Sequence, residues 1–422
     1  MPVPRKVTVL TVVAVLLSLA APAAAASGDR DTSFSGDGLA TISFGTDGSD
    51  RAYGVARSGR KIVVLGSSDF QDGALMRFRA GGALDTTFSG DGKRTFPMGM
   101  DQERMGLAVQ PDRKIVVAGR HDVSGGSRDF FVERFRAGGA VDTGFGGFVT
   151  VDFAGGSDEA YAVAVQSDGR ILVGGRAEVG GDFRPAMVRF MPSGAPDSSF
   201  GGGDARVTTS VLDASQIRAL AVQTDGKIVA VGVAGAAESS SDFLVLRYRP
   251  NGTLDPTFSG DGKLRIDFQT YDTAEAVAIQ SDGAIVVAGE VFLSGSNSNW
   301  AVVRLHPNGS LDHTFSANGR VVTALGDHND FVSGVVVQPT GKIVAVGDSL
   351  QGSDFVGALA RYRPGGTLDN SLSGDGKVFD DFGSEGQLQG VLNYPGDRLV
   401  AGVTVRQTAT DFDGGAARYL AG

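Results

Sequence analysis

Short apolar runs separated by turns rich in glycine and aspartate fill the chain from about residue 28 to its end, and no stretch there keeps a helical period. The runs come in sets of four. In one set, Ala274–Gln280 alternates small and apolar residues, and Ser281-Asp282-Gly283 supplies a hairpin turn. Ala284–Ala288 is continuously apolar, as in a strand covered on both faces. After a Gly/Ser/Asn-rich loop, Trp300–Leu305 forms a third strand. Pro307-Asn308-Gly309 then turns the chain toward a fourth, Arg320–Leu325. We label these strands A to D. Strand D reads as an outer edge, because Lys263, Arg265 and Asp267 alternate with apolar residues and Pro97 sits inside another copy. Strand A, as in Ala162-Val163-Ala164-Val165, suits a crowded place near an axis.

Three marks keep step through seven copies, spaced by 53 to 58 residues. The first is an Asp-x-x-Phe step at Asp31, Asp85, Asp142, Asp197, Asp255 and Asp312, degenerate at Asp369 with Leu372. The second is a glycine closing strand B: Gly66, Gly119, Gly175, Gly232, Gly289, Gly347 and Gly402. The third is an arginine ending strand C: Arg77, Arg134, Arg189, Arg247, Arg304, Arg361 and Arg418. The units fall near residues 28–80, 81–137, 138–192, 193–250, 251–307, 308–364 and 365–422. The chain enters this pattern out of frame. It begins with a lone D strand at Leu39–Phe44 and ends with A, B and C strands, Gln387–Asn393, Arg398–Ala401 and Ala416–Leu420. An open solenoid needs polar caps, whereas a ring needs its first strand to complete its last blade. The pattern therefore predicts an all-β fold: a seven-bladed β-propeller of four-stranded blades, one domain over residues 27–422, closed by its N-terminal strand.

Phrases such as Leu254-Asp255-Pro256-Thr257-Phe258-Ser259-Gly260-Asp261-Gly262-Lys263 and Val222-Gln223-Thr224-Asp225-Gly226-Lys227-Ile228-Val229 resemble the delta-60 repeat family. This is a bacterial β-propeller family of unassigned function, and the resemblance covers residues 27–422. It implies a fold and leaves the chemistry open.

Residues 1–26 read as a signal peptide. Arg5 and Lys6 precede an apolar core, Val7–Ala20, and Ala24-Ala25-Ala26 offers a cleavage site. With no cysteine, neither lipid attachment at a thiol nor a disulfide is available. The expected product is secreted, extracellular and free of the membrane after cleavage. Loss of the leader takes the formal charge from −10 to −12, which disfavours nucleic acid as a partner. A monomer is expected, because each blade buries its faces against two neighbours.

Catalytic motifs are scarce. There is no Gly-x-Ser-x-Gly elbow and no thiol, and Gly92-Lys93, Gly262-Lys263 and Gly341-Lys342 do not continue as a phosphate loop. No cofactor is expected. His121, His306, His313 and His328 occupy four different repeat positions, so no metal site is assigned. Asp29-x-Asp31 departs from a calcium loop at Phe34 and Ala40.

One carboxylate pattern remains. Just before strand A, six copies carry an acid: Asp50, Glu103, Asp158 with Glu159, Asp272, Asp330 and Glu385, while the fourth has Gln216. In a propeller these acids would ring the channel mouth and bind a ligand. Paired carboxylates there could instead serve a hydrolase or lyase, although catalysis needs asymmetry that repetition does not supply. The seven arginines, and the Asp-Phe pairs that open most C strands, suit blade packing. Trp300 fills a Phe slot of the repeat and is expected in the core. The B–C loops differ most between copies, as in His121–Arg128, Ala177–Gly181 and Val403–Thr410, and such loops are where a site is grafted. The expectation is an exported binding or scaffold module for a protein or glycan partner; the alternative is a secreted hydrolase or lyase.

Overall fold

The computed structural model describes residues 25–44, 50–69, 72–98, 104–123, 126–235, 241–269, 271–294, 297–326, 328–383, 385–408 and 411–422. The expected leader lies almost wholly outside them. The described strands form seven four-stranded antiparallel sheets, each in the order A-B-C-D. The chain is a seven-bladed β-propeller. Six blades are contiguous in sequence, for example Asp272–Ile279, Ile285–Ser294, Asn297–Leu305 and Arg320–Thr323 in blade 5. The seventh takes A, B and C from Gly386–Tyr394, Arg398–Arg406 and Phe412–Leu420, and its outer strand is Leu39–Ile42 from the other end of the chain. Leu39 faces Ala417 and Ile42 faces Gly414, so the first strand is hydrogen-bonded to the last.

Buried side chains gather in seven clusters, each spanning the seam between two neighbouring blades. Trp300 lies in the seam of blades 5 and 6 with Ala276, Val332 and Tyr362, fully buried as the repeat position implies. Burial at every seam follows from B strands apolar on both faces, which leave the sheet no solvated side.

Polar cassettes complete each seam. Arg189 Nε lies 2.8 Å from Asp197 Oδ2, and its guanidinium sits 4.5 Å over the Phe200 ring. Its Nη1 donates to the carbonyl of Pro250 in the next blade. The arrangement recurs at Arg77, Arg134, Arg247, Arg304 and Arg361, with a buried Leu372 at the ring's repeat position in the Arg361 copy. Arg418 makes it across the closure: Asp31 at 2.8 Å, the Phe34 ring at 4.8 Å and the Ala80 carbonyl. One residue set thus explains two sequence marks, since the Asp-x-x-Phe step provides the acid and ring that each arginine grips.

Candidate binding site at the channel mouth

The closing glycine of strand B is dictated by its neighbour. A Cβ on Gly175, Gly232, Gly289 or Gly347 would collide with a strand A carbonyl, of Glu159, Gln216, Thr273 and Phe331 respectively. Opposite each of these glycines strand A slips register by one residue, a β-bulge. Blade 1 carries the same slip, and in blade 7 it falls one residue further along strand A, between Gln389 and Val391. A bulge leaves one residue unpaired and re-aims its side chain. Those residues are Tyr53, Tyr161, Arg218, Glu275, Ser333 and Gly390, and all of them line a central cavity of about 660 Å³. The backbone device repeats. The side chains it presents do not.

Charge is unevenly placed around this wall. Glu275 bridges Arg104, at 2.6 Å, and Arg218. Burial, with the charge of Arg104 beside it, lowers the Arg218 pKa to about 10. Near them Glu159 accepts from Arg128 at 2.7 Å, from Arg176 at 3.0 Å and from the Tyr161 hydroxyl. Burial opposes its ionisation, but the Tyr161 hydrogen bond and the arginines hold its pKa below the usual range. On the side of blades 5 and 6 the wall carries Glu290 and Asp348, each directly after a closing glycine. Tyr271, Phe292 and Phe331 also line the cavity, with Tyr271 edge-on to Phe292 at 4.7 Å.

The acids singled out in the sequence have other places. Asp50, Asp158, Asp272 and Asp330 are completely buried, and none lines the cavity. Each accepts a backbone N–H from the turn leading out of strand D: Phe44 at 2.6 Å, Phe153 at 2.7 Å, Phe268 at 2.7 Å and Leu325 at 2.8 Å. They staple the D–A connection. Burial raises the pKa of Asp50 and Asp330, and that of Asp158 to about 6. Glu159 occupies a different register from Asp158, facing Arg176 across the hairpin. Gln216 holds that second register, facing Val233, so the fourth copy's counterpart of the aspartates is the buried Ser215. Glu385 is half-buried and paired with Arg406 at 2.9 Å. Glu103 lies outside the described residues, as does Asp327 beside His328.

Two of these aspartates belong to carboxylate triads whose oxygens lie within 4.8 Å of one another, Asp129/Asp152/Asp158 and Asp242/Asp267/Asp272. In the second, Arg265 supplies a positive charge by donating to Asp242 at 2.8 Å. The residues missed from the sequence are the bulged ones and Glu290 and Asp348. Their signal was present: Arg218 and Glu275 interrupt strands otherwise built of Ala, Val, Leu and Ile.

The fold and its repeats define the chain as a repeat β-propeller. The family model described as "Domain of unknown function (DUF5122) beta-propeller" matches six times, at residues 60–88, 110–145, 166–200, 223–258, 280–315 and 338–372, which supports a bacterial β-propeller repeat family. No curated protein matches it in sequence. Among solved structures it is similar to a PL25 ulvan lyase bound to a -[GlcA(1-4)Rha3S]- segment, with a TM-score of 0.55, 10% identity, and coverage of 90% of this chain and 96% of that one. It is also similar to a structure of a PL25 ulvan lyase with a TM-score of 0.54, 11% identity and the same coverage. A protein of unknown function from Bacteroides caccae aligns with a TM-score of 0.43 and 14% identity, over 76% of this chain and 94% of that one. For the two lyase structures, at these identities, the likeness is one of fold.

Proposed function

We propose that the chain is an exported propeller of the delta-60 repeat type that binds a glycan segment at the mouth of its central channel. The observation that carries this reading is the broken symmetry of the wall. Five bulges of common geometry present Tyr, Tyr, Arg, Glu and Ser to one cavity, and structural positions in the same blades repeat almost without change. Tyrosines at Tyr53, Tyr161 and Tyr271 offer faces for sugar rings, and the charged groups between them offer hydrogen bonds. The enzymatic alternative called on the rim acids, of which Asp50, Asp158, Asp272 and Asp330 are engaged by backbone amides. The test is retention of purified residues 27–422 on a glycan array, beside Ser333→Trp, which fills the cavity from a bulge. Binding lost in Ser333→Trp supports the reading. Binding that the tryptophan leaves unchanged, or no binding to any glycan, refutes it. Export is tested separately, by N-terminal sequencing of protein from the medium, with Ser27 expected first.

A further inference from the structure

Glu290 and Asp348 occupy the same position of adjacent blades and both line the cavity. Each is only 5% exposed, and neither forms an ion pair with any described Lys or Arg. Glu290 is held by the Val332 amide of the next blade at 2.8 Å and by the Thr273 hydroxyl. Asp348 Oδ2 accepts from Gln387 at 3.3 Å, and the Leu388 amide of the next blade also favours its charged form, while its Oδ1 is shielded from solvent and has no donor in good hydrogen-bond geometry. A buried carboxyl oxygen without a good donor is costly.

Blade packing does not account for the acids. In blade 7, the Thr404 hydroxyl of strand B accepts the Ala52 amide of the next blade at 3.0 Å. A neutral side chain therefore serves for the bond that Glu290 makes to Val332. What the carboxyls add is negative charge, placed beside three aromatic rings: Tyr271, Phe292 and Phe331, the last being the cross-strand partner of Asp348.

We propose that Glu290 and Asp348 form a subsite for a protonated amino group of the channel ligand, an inference that rests on the binding function above. Asp348 Oδ1 lacks a good donor, and an ammonium brings three. Aromatic faces favour such a cation. A divalent metal fits poorly, because calcium takes six to eight oxygens and both Glu290 oxygens are already hydrogen-bonded. With the channel empty, burial raises both carboxyl pKa values, and for Asp348 the neighbouring Glu290 raises it further. Arg218 and Arg104 act in the opposite sense on Glu290, and Glu385 in the same sense on Asp348. Burial thus works against the ionised carboxyls, and a bound ammonium favours their ionised form.

The test is calorimetric titration of residues 27–422 at neutral pH with three disaccharides: the β-1,4 glucosamine dimer, its di-N-acetyl form and cellobiose. The expected result is binding of the glucosamine dimer, weakened at least tenfold by acetylation and by Asp348→Asn, with proton release read from the dependence of heat on buffer. Glu290→Gln should act in the same direction, and it replaces Asp348→Asn if that variant does not fold. Equal binding of free and acetylated dimers, or unchanged affinity in the variants, overturns the inference. So does failure of the glucosamine dimer to bind. If the acetylated dimer or cellobiose is then still bound, and lost in Ser333→Trp, the glycan reading stands without the amino subsite.

Discussion

Truncating Phe34 to alanine should destabilise the whole ring as much as truncating Phe200, although Phe34 belongs to a terminal strand and Phe200 to an internal seam. Both rings are completely buried and both lie under an arginine, Phe34 at 4.8 Å from Arg418 and Phe200 at 4.5 Å from Arg189. Phe→Ala at such sites costs about 3–5 kcal/mol. Part of that is the stacked cation, worth ~0.5–2 kcal/mol and not to be counted twice. A terminal strand has an escape that an internal one lacks. It can peel away, and the measured cost then stops at the free energy of peeling. Peeling residues 27–44 would break the four-residue pairing of Leu39–Ile42 with the last strand and leave Arg418 without Asp31. An orphaned buried charge costs about 3–5 kcal/mol by itself, so peeling should cost more than the truncation. Urea unfolding followed by Trp300 fluorescence reads this well, because the single tryptophan lies far around the ring in the seam of blades 5 and 6. The two variants should agree within about 1 kcal/mol. A Phe34→Ala cost below about 1 kcal/mol, with Phe200→Ala at its full value, would refute closure by this strand. Early proteolytic loss of the N-terminal segment in the variant would locate the failure.

Other outcomes are equally definite. Gly289→Ala should cost several kcal/mol, more than about 3, because its Cβ meets the Thr273 carbonyl and must flatten the bulge that aims Glu275; Gly260→Ala, on an open turn, should cost about 1 kcal/mol. Glu275→Gln leaves Arg218 facing Arg104 without a counter-charge and should lower stability by about 3 kcal/mol, read by thermal melting at low and high salt. Asp158 binds its proton more tightly when folded, with a pKa raised from the ordinary 3.8 to about 6, so its contribution is present below pH 4 and lost as pH rises through 6. Asp158→Asn should therefore gain as much as about 3 kcal/mol relative to the unsubstituted protein between pH 4 and pH 7. A flat difference across that range would show that its carboxyl is not held protonated.

The ring was readable because its causes are local and repeated. Turns, edge charges and the out-of-frame start each follow from a few residues in a row, and seven copies reinforce one another. The role of Arg77 and its equivalents was half-readable: blade packing was expected, but the Asp-x-x-Phe step as the source of both acid and ring needed the seam geometry. The site was misplaced for a physical reason. Repeated acids attract attention, yet a side chain that repeats serves what repeats, and Asp50, Asp158, Asp272 and Asp330 each hold a D–A turn. The cavity wall is set by bulges, whose one-residue slip moves a side chain from one face of a strand to the other. Alternation along Ala274–Gln280 does not disclose where that slip falls.

The pairing of a closing glycine with a bulge separates two jobs that most binding sites must share. The glycine and the bulged backbone are fixed by the neighbouring strand, while the bulged side chain lines the cavity. Substitution at Tyr53 or Tyr161 changes what the channel recognises without touching those fixed positions, whereas Arg218, Glu275 and Ser333 also tie neighbouring blades together through ion pairs and hydrogen bonds. Relatives with this ring could therefore recognise very different ligands while their seams stay nearly identical. Overall similarity between two such proteins would then say almost nothing about whether they share a ligand, and these few wall positions would say most of it.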